Sequence, residues 1–238
     1  MTDTSHKDDL TSSKTAIAFH DEIAGSWSKG YKQGSFNRRL QVLKPSIDRN
    51  VKPGSRWMDM GCGSGVLVGE LLARGADVVG VDGAPAMINN ARAAYAKEAR
   101  AEFILSNVTA IQGCADQAFD GILCSSVLEY IDEPKALLRE AYRLLRGDGR
   151  LIITVAGKFS AVRLLQHAAR RGARLIGKDM FSYLDYSRFT QSAGGITALL
   201  MRNGVVIYHI GSFDPHVPAC RPRILKPAIL IIEARKIV

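Results

Sequence analysis

The sequence predicts an α/β fold, a mostly parallel sheet covered by helices, and three observations carry the prediction. Short β-like runs alternate with longer helical ones through the middle of the chain. A glycine-rich stretch, DMGCGSGVL (59–67), follows the first of those runs and opens a helix. The 238 residues are 47% hydrophobic and 23% charged, which is ample for one large core.

In chain order, the first fourteen residues, MTDTSHKDDLTSSK, are polar, lack the apolar run of a secretory signal and read as a mobile tail. Residues 15–33 and 36–49 look helical, and Pro53-Gly54 turns the chain into the first strand, RWMDM (56–60). The glycine stretch opens the helix VLVGELLARG, followed by a second strand, ADVVGVD (76–82). The helix APAMINNARAAYAKEAR (84–100) carries Pro85 in its first turn, where proline is tolerated. A third strand, AEFILSN (101–107), and a fourth, FDGILCSSV (119–127), come next. The helix PKALLREAYRLLRGDG (134–149), ended by a glycine turn, leads into a fifth strand, RLIITVA.

Beyond it, residues 159–178 read as an inserted amphipathic helix and SRFTQSAGGITALLMRNG (187–204) as another helix. VVIYHIGSF (205–213) and PAILIIEARK (227–236) close the pattern as two strands. The longest apolar runs, LIITVA (151–156) and AILII (228–232), are strand-sized and far short of the roughly 20 residues that cross a bilayer. Cys62, Cys114, Cys124 and Cys220 are scattered, without a CxxC pair or histidines at ligand spacing. They are expected to be free thiols in a reducing cytoplasm, with no metal site. A net charge of +9 suits an acidic small molecule, nucleic acid or an anionic membrane, and does not choose among them.

The glycines narrow the ligand. A strand, a glycine turn and a helix leave free backbone N–H groups beside a cleft. The dinucleotide fingerprint needs a glycine three places after its second, and Val66 or Val68 stands there instead. No Gly-Lys-Ser or Gly-Lys-Thr follows, so a P-loop is excluded too. What remains is D-x-G-x-G-x-G, whose Asp59 suits a cationic ligand better than a phosphate. Asp82 ends the second strand, where a carboxylate can accept hydrogen bonds from both hydroxyls of a ribose.

At this point the sequence resembles the class I S-adenosylmethionine-dependent methyltransferases, in their small-molecule branch. DMGCGSG matches the first motif of that family, VDGAPAMI the second and FDGILCSSVLEYI the fourth-strand motif, from about Trp57 to Val155. The resemblance implies a Rossmann-like seven-stranded sheet with helices on both faces and an antiparallel last strand. It divides one domain, 15–238, into a helical cover (15–50), a cofactor-binding core (56–156), a basic lid (157–187) and a C-terminal helix and strand pair (188–238). S-adenosylmethionine would lie along Gly61, Cys62, Gly63 and Gly65, with Asp59 near its amino group and Asp82, beside Gly83, on its ribose. Asn107 would face the adenine amino group through its side-chain carbonyl, and Cys124 and Ser125 would lie near the methionine portion. Gly65 has close helix–strand packing as an equal alternative, and Asp59 the tying of turn amides.

Methyl transfer from a sulfonium is an in-line displacement, so the acceptor must be aligned, water excluded and a hydroxyl acceptor relieved of its proton. His20, in the N-terminal segment that resembles the family's cofactor cover, and His216, in the loop after the sixth strand, are the candidate bases. His209 lies within a strand and reads as structural. Metal-assisted relatives in the ubiquinone pathway carry acidic and histidine residues around a Leu-Glu-His segment. Here the run is SSVLEYI, with Ser126 and Tyr130 in the place of a Glu and the His, and only Glu129 kept.

Trp27, Tyr31, Phe36 and Tyr130 are candidate walls of an apolar or aromatic acceptor site, or else ordinary packing. In the insertion, Arg163, His167, Arg170, Arg174 and Lys178 share one helical face, opposite Val162, Leu165, Ala169, Ala173 and Ile176. That face is either a solvated lid surface, a site for an anionic substrate through Arg163, Arg170 and Arg174, or a membrane-docking surface for a lipid-like one. The favoured function is methylation of a natural-product, quinone or lipid-related small molecule, at oxygen in preference to nitrogen or carbon. Its rivals are a non-catalytic cofactor-binding regulator, a nucleic-acid methyltransferase, for which the Asn/Asp-Pro-Pro-aromatic motif is missing, and last a nicotinamide oxidoreductase.

Overall fold

The computed structural model describes residues 16–25, 27, 30–31, 34–175, 177–178, 180–214 and 226–237. Residues 16–25 are helical and precede helix α1 (Gly34–Asn50). Then follow β1 (Arg56–Met60), α2 (Val66–Leu72), β2 (Asp77–Asp82), α3 (Pro85–Ala94), β3 (Ala101–Leu105) and β4 (Phe119–Cys124). After a 3-10 turn at Leu128–Tyr130 come α4 (Pro134–Leu144), β5 (Leu145–Ala156), α5 (Ala161–Leu175), a second 3-10 turn at Ser182–Asp185, α6 (Ala193–Met201), β6 (Val205–Phe213) and β7 (Ile229–Lys236). The strands form one sheet in the order β3-β2-β1-β4-β5-β7-β6. All pairs from β3 to β5 are parallel, and β7 runs antiparallel to both of its neighbours.

Successive strand residues point to opposite faces, so the sheet carries two cores. Ile122 and Ile153 join Met58, Leu137 and Leu200 on one face, whereas Leu123 and Ile152 join Ile47, Trp57 and Leu71 on the other. Helix α1 is anchored by a polar knot. Ser46 (2.9 Å), Asn50 (2.7 Å) and Arg49 all donate to Glu233 of β7, whose carboxylate is fully buried. A buried carboxylate surrounded by donors fixes how the helix sits on the sheet.

Several elements end sooner than their patterns suggest. Helix α3 stops at Ala94 because Tyr95 turns back, its hydroxyl donating to Gly65 O at 2.9 Å. β4 ends at Cys124, ahead of Ser126 with φ at +56°, and α4 ends at Leu144. There Lys236 of β7 donates to the carbonyls of Tyr142 (2.9 Å) and Leu145 (2.8 Å), capping the helix as a cation should. The Gly-Asp-Gly turn therefore belongs to an irregular start of β5, not to the helix. Residues 187–192 are held by Gln191, whose N–H donates to Ala156 O at 2.9 Å, so α6 begins only after its cap, Ser192.

The insertion forms α5, but rotated from the expected orientation. Val162, Gln166, Arg170 and Ala173 face inward. Of the expected apolar face Val162 and Ala173 are buried, but Leu165 and Ala169 face solvent, as do Leu164 and Leu175, the last 88% exposed. The physical reason is Asp185 of the returning turn. It takes Arg170 as a two-point ion pair and Arg174 at 3.1 Å, drawing an arginine into the inner surface.

Candidate functional site

The strand order reverses between β1 and β4, and in open α/β sheets a ligand crevice forms at that point beyond the carboxyl ends of the strands. Here the β1 end carries Gly61 and Gly63, both at positive φ, and N–H groups of the turn are accounted for individually. Gly61 and Cys62 donate to Val81 O, at 2.7 and 3.0 Å, and Gly63 donates to Asp82 Oδ2 at 2.9 Å. Asp82 Oδ1 accepts from Ala84 N at 2.9 Å. Burial raises the Asp82 carboxyl, and these two amides and His20 oppose the rise.

A first cavity of about 120 Å³ opens here. Its walls include Gly61, Cys62, Gly63, Asp82, Gly83, Asn107 and Ser125, seven of the ten residues expected at a cofactor. The other three turn away from it. Gly65, at φ +84°, is a packing glycine, since a Cβ there would come within 2.8 Å of the Tyr95 ring. Cys124 is sealed in the core, and burial pushes its thiol well up, as it does that of Cys62. Asp59 sits behind the turn, 1% exposed, with no donor for either carboxylate oxygen among the described residues. Burial, aided by the charge of Asp82, pushes it up to about 8. Asn107 spends its side-chain carbonyl on Thr109, at 3.0 Å to the amide and 2.9 Å to the hydroxyl, so the oxygen expected at the adenine is already shared within its own turn.

The N-terminal segment lies over this cradle. Ile17 packs at Gly83 and Trp27 at Gly63, while Asp21 accepts from Ala86 N at 2.6 Å and Asn90 donates to Ala24 O at 3.1 Å. Helix α3 has alanine at its N-cap and no side-chain cap of its own, so Asp21 supplies one from 65 residues away.

A second, larger cavity of about 490 Å³ adjoins the first. His20, Trp27, Arg39, Ser126 and Tyr130 line both, forming a seam between them. At the seam His20 Nδ1 bonds Ala16 O at 2.8 Å. That partner can only accept, so Nδ1 donates, and in the neutral imidazole Nε2 is the accepting nitrogen. The imidazole stands edge-on to Tyr130 at 4.8 Å and to Trp27 at 5.6 Å. Tyr31 lines only the first cavity, beside Trp27; Arg163 lines only the second, donating to Ser187 O at 3.1 Å and Oγ at 3.0 Å. Phe36 also lines the second.

Arg170 and Arg174 line neither cavity, because Asp185 engages both; their expected place at a substrate is corrected accordingly. His216 and Cys220 lie outside the described residues. His209 is on β6, 3.9 Å from Glu233, away from both cavities. Arg39, Glu129 and Gln166 are among the residues of the second cavity that escaped the sequence reading as acceptor contacts. Of these only Glu129 had a signal, as the surviving acid of SSVLEYI. Among the described residues no three His, Cys, Asp or Glu side chains converge as a metal site, and no helix is long and apolar enough to cross a membrane.

The comparisons with known proteins agree with this geometry. The model of a methyltransferase domain family matches residues 58–153. A ubiquinone biosynthesis O-methyltransferase of Xylella fastidiosa is 30% identical over 168 residues, covering 69% of this chain and 68% of that one. Its counterpart in Xanthomonas campestris pv. campestris is 28% identical over 190 residues, covering 75% and 80%. Among solved structures, magnesium protoporphyrin IX methyltransferase of Synechocystis PCC 6803 with bound SAH superposes with a TM-score of 0.68 at 20% identity, covering 94% and 99%. A putative methyltransferase of Haloferax volcanii, solved in complex with the Trm112 methyltransferase activator, gives 0.71 at 18% identity, covering 92% and 98%. At these identities the two structures speak for the fold alone.

Proposed function

Because this chain belongs to the class I S-adenosylmethionine-dependent methyltransferases, we propose that it methylates an oxygen of a small apolar or aromatic acceptor seated in the second cavity. The observation that carries this reading is the seam: the glycine-turn cradle and a second, aromatic-lined cavity meet at His20, whose Nδ1 is tied back to Ala16 O so that Nε2 is the ring nitrogen left for an acceptor. The curated relatives are ubiquinone biosynthesis O-methyltransferases, which supports oxygen as the atom and a quinone-like ring as the acceptor.

The residues present fit the cofactor. Asp82 keeps lone pairs for ribose hydroxyls beyond the two amides it accepts. Trp27 and Ile17 close the cradle and exclude water. When bound, S-adenosylmethionine supplies a methyl group on a positively charged sulfur. The protein's part is to hold the acceptor in line, with Tyr130 and Trp27 as walls, and to receive the hydroxyl proton at His20 Nε2. Burial keeps the Tyr130 phenol protonated by pushing it well up, so it acts as a wall and donor, not as a base.

The lid supports a lipid-like acceptor. Phe159, Leu164, Leu165 and Leu175 are exposed on or beside α5, among Lys158, Arg171 and Arg174, an arrangement suited to the surface of an anionic bilayer. Binding to anionic but not neutral vesicles, weakened by Leu165→Ser with Leu175→Ser, is the expected result. Labelled-methyl transfer into a host metabolite extract tests the main reading. A labelled ether or ester product supports it, and a labelled amine or carbon product refutes the choice of oxygen.

A further inference from the structure

Glu129 is 8% exposed and lines the second cavity, yet its Oε2 has no hydrogen-bond partner. A buried acceptor left unmade is costly, and one that lines a cavity is placed to take its missing donor from a ligand. The carboxyl is held firmly from behind. It follows Ser126, whose left-handed backbone (φ +56°) ends β4, and the Ser126 N–H is tied to Thr154 Oγ1 at 2.8 Å. The Ser126 hydroxyl accepts from Arg39 Nη1 at 2.5 Å. The Glu129 carbonyl accepts from Arg188 N at 2.8 Å, which joins the lid's return to the same turn. Burial raises the acid, while Arg39, Arg163 and Ser126 work against the rise.

We propose that Glu129 selects the acceptor: its Oε2 receives a hydrogen bond from a second hydroxyl of a ring whose first hydroxyl lies at His20. This rests on the reading of the second cavity as the acceptor site. The chemistry of the walls chooses the donor. An ammonium would be drawn to Glu129 but would share the cavity with two guanidinium groups, Arg39 and Arg163. A neutral hydroxyl meets no such repulsion and gains a charge-assisted bond. The aromatic side chains Phe19, Trp27, Phe36 and Phe181 along the same walls suit a flat ring between the two polar ends.

Phenol and the three benzenediols, titrated calorimetrically into protein saturated with S-adenosylhomocysteine, test the inference. At least one benzenediol is expected to bind about tenfold more tightly than phenol. In Glu129→Leu that gap closes to about twofold or less while S-adenosylhomocysteine affinity is unchanged, and the ligand-free variant melts higher because an unpaired buried acid is gone. If Glu129→Leu does not fold, the nearly isosteric Glu129→Gln must still narrow the gap several-fold. Equal binding of phenol and all three diols by the natural protein, no binding of any at millimolar concentration, or a gap that survives both substitutions overturns the inference. A diol that binds with the expected gap but never accepts a labelled methyl supports the Glu129 contact and refutes instead the reading of the reaction.

Discussion

Replacing Asp59 by asparagine isolates the strain stored under the glycine turn. In the folded protein the carboxyl is pushed from its ordinary 3.8 to about 8, by burial first and by Asp82 second. The native state therefore holds a proton that the unfolded chain has released throughout that interval. Stability from this group is complete below 3.8, falls as pH rises from there to about 8, and is flat beyond. One proton corresponds to about 1.4 kcal/mol per pH unit, so between pH 5 and pH 7 the natural protein should lose about 3 kcal/mol relative to Asp59→Asn. Asp82 is present in both proteins and largely cancels. Urea unfolding at pH 5, 6, 7 and 8 without cofactor measures the difference directly. At this chain length each kcal/mol moves the melting temperature by about 2–4 °C, so the two thermal curves should visibly part. Stability profiles that run parallel within about 1 kcal/mol across that range would refute the argument, and with it the claim that Asp59 lacks a partner in the ligand-free fold.

Asp82→Ala should weaken S-adenosylhomocysteine binding about a hundredfold or more by calorimetry, since it removes two potential charge-assisted bonds to a ribose and frees two turn amides. His20→Gln should lower kcat by about a hundredfold and leave cofactor affinity intact; unchanged kcat would remove His20 as the base. Asp185→Ala removes the two-point partner of the inward Arg170, and because the Asp185 carboxylate is half-exposed it should cost about 1 kcal/mol in unfolding experiments. Arg170 and Arg174 hold the Asp185 carboxyl below its ordinary range, so at neutral pH the tie is complete, and it is lost only as pH falls through that lowered value.

The sheet was legible because each strand from Arg56 to Ala156 is an apolar run bounded by punctuation, and buried parallel strands leave that trace. The cradle was legible because backbone geometry demands glycine at Gly61 and Gly63, and letters record such demands. The orientation of α5 was not legible. Periodicity places Arg170 among the solvated cations, and only Asp185, fifteen residues on and folded back by a turn, makes burying it favourable. Gly65 takes the packing alternative that the sequence had left open beside the cofactor, with Tyr95 as its neighbour, whereas Cys124 was assigned to the cofactor by resemblance and the core claims it, a matter of tertiary neighbours that no local spacing reveals. Arg39 is the same case. It reaches the seam from the middle of α1 only because the Glu233 knot docks that helix on β7.

The cap that Asp21 places on α3 makes one amide a gauge. The Ala86 N–H can exchange with solvent through this route only when the N-terminal segment lifts, since no neighbouring side chain in α3 takes over. Its exchange rate thus counts how often the site stands open, in the same units in which product must escape. A ligand that slows this one proton without slowing the sheet would be latching the door, and the ratio of the two rates would say how long each turnover has to wait for it.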